Sequence, residues 1–408
     1  VGAFLLVLPE SEALTHIFFG VSLAFLILAQ PRLPRLDIVD LSLLGFALVP
    51  LVAHFTSTIA TEVRVSKASS WLEMAMLTLM LRRAGFSAIE SRWCVRLIVL
   101  GVLLAVLAGQ LLHHASRWPS LHSVGFVNQV ALYLDVALIA SLLGVRIESG
   151  AWRIAMSISS VALVPLIWMT DSATAAIVML LVVMIALWML PVFRGSNRWR
   201  LVRPAMFLAI VLAAVLNPKV RYRMQQTQPG TDLFSARDQI LRSALAVFPD
   251  NPWFGTGARS FGLATSEERV RNAVESRGGA FEPDRYLFSS NESSRGKGVD
   301  HGHGLFTNTL VERGLVGLGC MTTLLLAWSL RLARSGSDAV FVWVSGMCYV
   351  LVGGAGNTTL MVEHGWLLLS LWALIERHGR AEEMASARDA DQEPTSAEST
   401  TASTAIAS

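Results

Sequence analysis

Ala173-Thr174-Ala175-Ala176-Ile177-Val178-Met179-Leu180-Leu181-Val182-Val183-Met184-Ile185-Ala186-Leu187-Trp188-Met189-Leu190 carries no charge, and the apolar run continues to Phe193. A helix of this length crosses a hydrocarbon core of about 30 Å. Runs of the same kind recur over 14–29, 38–53, 69–82, 93–112, 126–145, 151–169, 203–216, 308–330, 338–354 and 361–375. The opening Val1-Gly2-Ala3-Phe4-Leu5-Leu6-Val7-Leu8-Pro9 reads as the end of one further short or truncated span. It lacks the basic start and small-residue cleavage site of a signal peptide. The expected fold is all-α, a polytopic membrane protein with 11 or 12 transmembrane helices.

Composition agrees. The chain is 53% hydrophobic and 15% charged, against about 25% charged in a soluble domain. The alternating runs of about ten residues that build a membrane barrel are absent. A net charge of +3 is too small to imply a nucleic-acid partner.

Arginine in the short loops predicts the orientation. One side holds Arg32, Arg35, Arg82, Arg83, Arg92, Arg146, Arg153, Arg194, Arg198, Arg200, Arg203, Arg331 and Arg334. The other holds Arg64, Lys67 and Arg117. The positive-inside rule assigns the arginine-rich side to the cytoplasm. The chain then divides into N-terminal membrane helices (1–216), one large periplasmic loop (217–303), C-terminal membrane helices (304–376) and a cytoplasmic tail (377–408). The tail is rich in Ala, Ser, Thr and Glu without apolar periodicity, a composition that predicts disorder.

The large loop has local order signals. Its charges nearly balance, with 12 basic and 10 acidic residues between 217 and 300. Ser235-Ala236-Arg237-Asp238 reads as a capping box, and Ile240, Leu241, Ala244, Leu245 and Phe248 follow at helical spacing. Pro249-Asp250-Asn251-Pro252 ends that helix, and Trp253 through Gly262 forms a glycine-rich turn. A second helix is expected to start at Ser266. Cys94, Cys320 and Cys348 lie in or beside spans with no CxxC spacing, which predicts free thiols.

The chemistry concentrates where this loop re-enters the membrane. His301 and His303 flank Gly302 just before a strongly apolar segment. A histidine there can take a proton from a sugar hydroxyl, or it can simply hydrogen-bond at the interface. A zinc site would need a third ligand from His114, His122 or His364, and no metal is expected. Arg237 falls in the first helical turn, where the dipole disfavours a cation, so it suggests a bound anion such as a diphosphate. Pairing with Asp238 or Asp232 is the ordinary alternative. Arg259, in the glycine-rich turn, adds a second possible anion contact. Glu73, Arg96 and Asp135 are charges within or at the edge of spans. Asp135 could line a polar cavity or pair with Arg96.

Taken in order, these residues resemble the O-antigen ligase and O-antigen polymerase family. The resemblance rests on Ala236-Arg237, then Pro252-Trp253-Phe254-Gly255-Thr256-Gly257, His301-Gly302-His303, and Leu310 with Glu312-Arg313-Gly314-Leu315-Val316-Gly317. It implies a GT-C-like, metal-independent, inverting glycosyltransferase without a cofactor. Such an enzyme moves a glycan from undecaprenyl diphosphate to lipid A-core, or to another lipid-linked repeat in the polymerases. The active site would face the periplasm at the bacterial inner membrane. By resemblance His303, with His301, is the catalytic candidate, and Arg237, Arg259 and Arg313 are the substrate-binding candidates. Two positions depart from the pattern. Gly304 stands where asparagine is usual, and Ala173 where many members have arginine. Arg117, Arg221, Arg223 or Arg259 could supply the missing contact. A lipid-linked glycan transporter would instead predict paired halves, and the sequence shows no internal repeat.

Overall fold

The computed structural model describes residues 20–21, 35–61, 65–83, 87–113, 127–170, 172–189, 204–205, 208, 235–286, 288, 304–356, 359–361, 364–376 and 378. Among the described residues there are helices and no strands. The helices that matter below are α1 (Ile38–Thr56), α2 (Val65–Arg83), α3 (Ala88–His113), α4 (Val127–Ile147), α5 (Gly150–Met169) and α6 (Ala173–Met189). After them come α7 (Ser235–Val247), α8 (Glu267–Glu275), α9 (Leu305–Leu332), α10 (Ser337–Cys348) and α11 (His364–Glu376).

Five of the described helices are long and apolar enough to cross a membrane: α1, α4, α5, α9 and the Ala88–Leu111 part of α3. Three shorter apolar helices, Ala173–Met189, Ser337–Gly353 and His364–Glu376, accompany them. The chain is thus an all-α polytopic membrane protein. The expected segments 1–9, 14–29 and 203–216 fall almost wholly outside the described residues, as does the tail.

Exposure supports a lipid-facing surface. On α3, Leu100, Leu104, Leu107 and Leu111 are exposed in one stripe. On α5, Ile154, Ile158 and Val161 repeat that spacing. In lipid such faces are at home, because hydrocarbon solvates them as well as protein does. The centre of the bundle is α4, buried at every residue from Val130 to Gly144. It packs on α3, α5, α6 and α10, while α1 packs on α2 and α9.

One end of the bundle is tied by buried charge. Arg82 donates from Nε to Glu376 (2.9 Å), from Nη1 and Nη2 to Asp37 (both 2.9 Å), and also reaches Asp40. Arg83 and Arg331 contact Asp37 as well, at 2.8 and 2.9 Å, and Trp328 Nε1 donates to Glu376 at 3.0 Å. Three cations and three carboxylates thus join α1, α2, α9 and α11. Asp37 and Asp40 also form a capping box that starts α1. About 28 Å away along α1, Ile59 packs with residues of the large loop. The arginine-rich helix ends and the loop therefore occupy opposite ends of α1.

Asp37, just outside α1, has a pH consequence. Burial pushes its carboxyl up, but the Arg82 hydrogen bonds and the charges of Arg82, Arg331 and Arg83 hold it below the usual carboxylate range. A depressed carboxylate stabilises the fold above its ordinary pKa and loses that contribution as pH falls through the folded value. Detergent-solubilised protein should lose thermal stability below about pH 4, and Asp37→Asn should flatten the fall. An acid limb unchanged in the variant would assign it to other groups.

The other in-span charges resolve differently. Arg96 makes a two-pronged contact with Glu148 (2.8 and 2.7 Å) and lies over the Trp93 and Trp152 rings. Asp135 is fully buried and does not pair with it. Cys94, Cys320 and Cys348 are free thiols.

Candidate functional site

The described part of the large loop folds as a small lobe. Its helix α7 begins at Ser235, as the capping signal predicts, and ends at Val247 ahead of a 3-10 turn over Phe248–Asp250. Helix α8 follows Ser266, with Glu267 and Glu268 in its first turn where the dipole favours acids. Ile240, Ala244, Val247, Phe261, Ala264, Val270 and Ala273 form the lobe's core, closed below by Ile59 and by Val311 of α9. A cavity of about 290 Å³ opens beside this core, lined by Ile59, Val247, Asp250, Arg269, Asn272 and Ser276 among others.

The lobe is clasped to the membrane helix through backbone. α9 breaks at Gly314, which has φ 61° and ψ −161°. Such a break opens the hydrogen-bond ladder between 311 and 315 and between 312 and 316. The glycine-rich turn supplies the missing partners. Thr256 N–H donates to Val311 O (2.8 Å) and Gly257 N–H to Glu312 O (3.0 Å). In return Leu315 N–H donates to Pro252 O (2.8 Å) and Val316 N–H to Trp253 O (3.0 Å). Every buried backbone group needs such a partner. Glycine is required at both contact points. Gly255 has φ 73°, and a Cβ there would strike the Glu312–Arg313 backbone. A Cβ on Gly314 would come within 2.5 Å of the Trp253 carbonyl. Two motif pieces about 55 residues apart are therefore one structural unit.

Glu312 extends the clasp with its side chain. It is buried, and its carboxylate accepts the backbone N–H of Phe261 at 3.3 Å. Arg259 is the one non-glycine with positive φ (56°) among the described residues. Its side chain is half-buried. Arg242, Arg271, Arg277 and Arg285 in the same lobe each pair with a carboxylate: Asp238, Glu267, Asp250 and Glu282. Arg259 forms no ion pair or side-chain hydrogen bond among the described residues.

The other candidates are placed as follows. Arg313 is 0% exposed, its guanidinium between the Phe46 and Trp71 rings at 4.4 and 4.5 Å from their centroids. Its Nη1 is 4.0 Å from Glu312, and none of its nitrogens has a hydrogen-bond acceptor among the described residues. In this conformation the aromatic faces hold the charge. Arg237 lies in the first turn of α7, and its side chain is outside the described residues. His301 and His303 are outside them too. Gly304 is the residue before α9 and accepts Asn308 N–H at 2.9 Å, so His303 precedes the helix by two positions. Ala173 opens α6. His364 is buried at the start of α11 and bonds Tyr349 O–H through Nδ1. Among the described residues no group of three His, Cys, Asp or Glu side chains could hold a metal ion.

The sequence carries a signal for Glu312 beyond the candidates named above: an acid about one turn inside an apolar run is costly unless it has partners.

Residues 155–322 match the family model described as O-antigen ligase. The match starts in α5, takes in the whole lobe and ends beyond the Gly314 break. It supports the family read from the ordered motifs. A comparison with curated proteins finds no match.

Proposed function

We propose, from the O-antigen ligase-family domain over residues 155–322, that this chain transfers a glycan from undecaprenyl diphosphate to lipid A-core. The reaction takes place on the periplasmic side of the bacterial inner membrane. The observation that carries the reading is Arg259. It is an arginine with no ion pair within 4.0 Å among the described residues, on a turn pinned to α9, within the matched domain. Arg237 and Arg259 hold the diphosphate leaving group, Arg237 by the two-pronged grip that guanidinium makes with phosphate. The acceptor hydroxyl attacks the anomeric carbon from the opposite side, and the configuration inverts. His303, with His301 nearby in sequence, takes the hydroxyl proton. The leaving group is already good, so charge stabilisation and positioning carry much of the rate. No metal or cofactor enters the scheme. Arg313, enclosed by Phe46 and Trp71, supports the clasp next to Glu312 rather than gripping the donor.

A polymerase that extends another lipid-linked repeat is the second reading. Ala173 and Gly304, which depart from the pattern, favour keeping it. Purified protein supplied with undecaprenyl-diphosphate glycan and lipid A-core tests both. A new glycan–core bond supports ligation, and longer lipid-linked chains support polymerisation. Arg237→Ala should abolish transfer in either case. Arg237→Lys should recover little, because lysine lacks the planar fork. Full activity in Arg237→Lys would remove the two-pronged contact from the scheme.

A further inference from the structure

We propose that Glu312 is a positioning residue for the transfer reaction, acting through Arg259. The inference rests on the diphosphate reading above and adds a residue to it. Three observations converge. Arg259 sits at φ 56°, a conformation that costs a non-glycine residue free energy unless its surroundings enforce it. The enforcing contacts are visible: the Glu312 carboxylate accepts the N–H of Phe261, two residues beyond Arg259. Gly257 N–H is fixed to Glu312 O, and Ser260 Oγ bonds back to Gly257 O. The turn is thus held at both ends by one buried residue. Finally, the Arg259 guanidinium forms no ion pair among the described residues, so the strain holds a cation available to a ligand.

The chemistry is that of a preorganised anion site. A flexible arginine loses side-chain and backbone freedom when it grips a diphosphate. Glu312 removes the backbone part of that loss in advance. Its carboxylate meets the Phe261 N–H, and its ion pair to Arg313 is at 4.0 Å. The Arg259 charge acts on it only at longer range than an ion pair, so the acid shapes the turn without closing on the guanidinium. Residues 304 and 312 lie roughly 12 Å apart along α9, so in sequence the histidines precede the same helical piece that carries the clasp.

The test is a double-mutant cycle in the full-length protein, read as donor KM and kcat. Glu312→Gln is nearly isosteric but turns an amide donor toward a backbone N–H group. It should raise donor KM about tenfold and leave kcat within about threefold. Arg259→Gly should raise donor KM at least as much. The double variant should be no worse than Arg259→Gly alone, because the two residues act as one unit. Losses that multiply, or a Glu312→Gln enzyme with unchanged KM, would overturn the inference. A second measurement needs no change at Glu312. Arg259→Gly should melt at a higher temperature than Arg259→Ala, since only glycine adopts this φ without strain. Equal or reversed melting temperatures would show that nothing holds residue 259 in that conformation. If His303→Ala is inactive while the cycle is multiplicative, only the positioning role fails. If no variant or wild-type protein transfers glycan, the transfer reading fails.

Discussion

Arg82→Met should destabilise the helix bundle by about 3 kcal/mol or more, the usual cost of stranding a buried carboxylate. Asp40 and Glu376 are 0% and 1% exposed, and Arg82 contacts both. Arg83 and Arg331 remain nearby and soften the loss, so the effect should fall at the lower end of that range. The double variant Arg82→Met/Asp40→Leu should recover part of it, because apolar side chains can replace a buried ion pair at little net cost. Thermal unfolding in detergent, followed by the melting temperature of both variants, decides this. A single variant as stable as wild type would mean the cluster adds nothing to stability.

The largest effect on turnover is expected at His303. In the proposed scheme His303→Ala lowers turnover by about two or more orders of magnitude, the range for losing a positioned acid–base group. His301→Ala should cost far less. Only one residue separates His303 from α9's first helical residue, whereas His301 lies two positions further out, after a glycine-rich stretch. The protein should still fold and bind the lipid-linked donor, and chelators should not change its activity. Equal losses in the two variants, together with inhibition by a chelator, would point to a metal site in place of a base.

What the sequence disclosed was whatever local physics controls. Helix α7 starts at Ser235 and stops before the Pro249 region, and α8 starts after Ser266, because caps and prolines act within a turn of themselves. The five membrane-crossing helices among the described residues were legible from length and apolarity. Choice of partner was not. Asp135 was the acid the sequence offered to Arg96, yet Arg96 pairs with Glu148 at the end of α4. Arg82 and Arg83 counted as topology markers, and nothing local predicted that Glu376, 294 residues on from Arg82, would meet them. Arg313 shares a motif with Glu312, but its aromatic enclosure depends on Phe46 and Trp71 from two distant helices. The glycines of the turn were legible as a turn. That Gly255 and Gly314 touch the same point required the fold.

The clasp also bears on biosynthesis. Thr256 and Gly257 emerge from the ribosome long before Val311 and Glu312, which must accept their hydrogen bonds. Until α9 has entered the bilayer and broken at Gly314, the lobe has its helices but not its anchor. The turn bearing Arg259 takes its strained shape only after that step. A chain truncated before Val311 would leave the lobe with the Thr256 and Gly257 donors unmatched. The finished geometry of the turn is therefore assembled only once α9, which begins at Leu305, has been made and inserted.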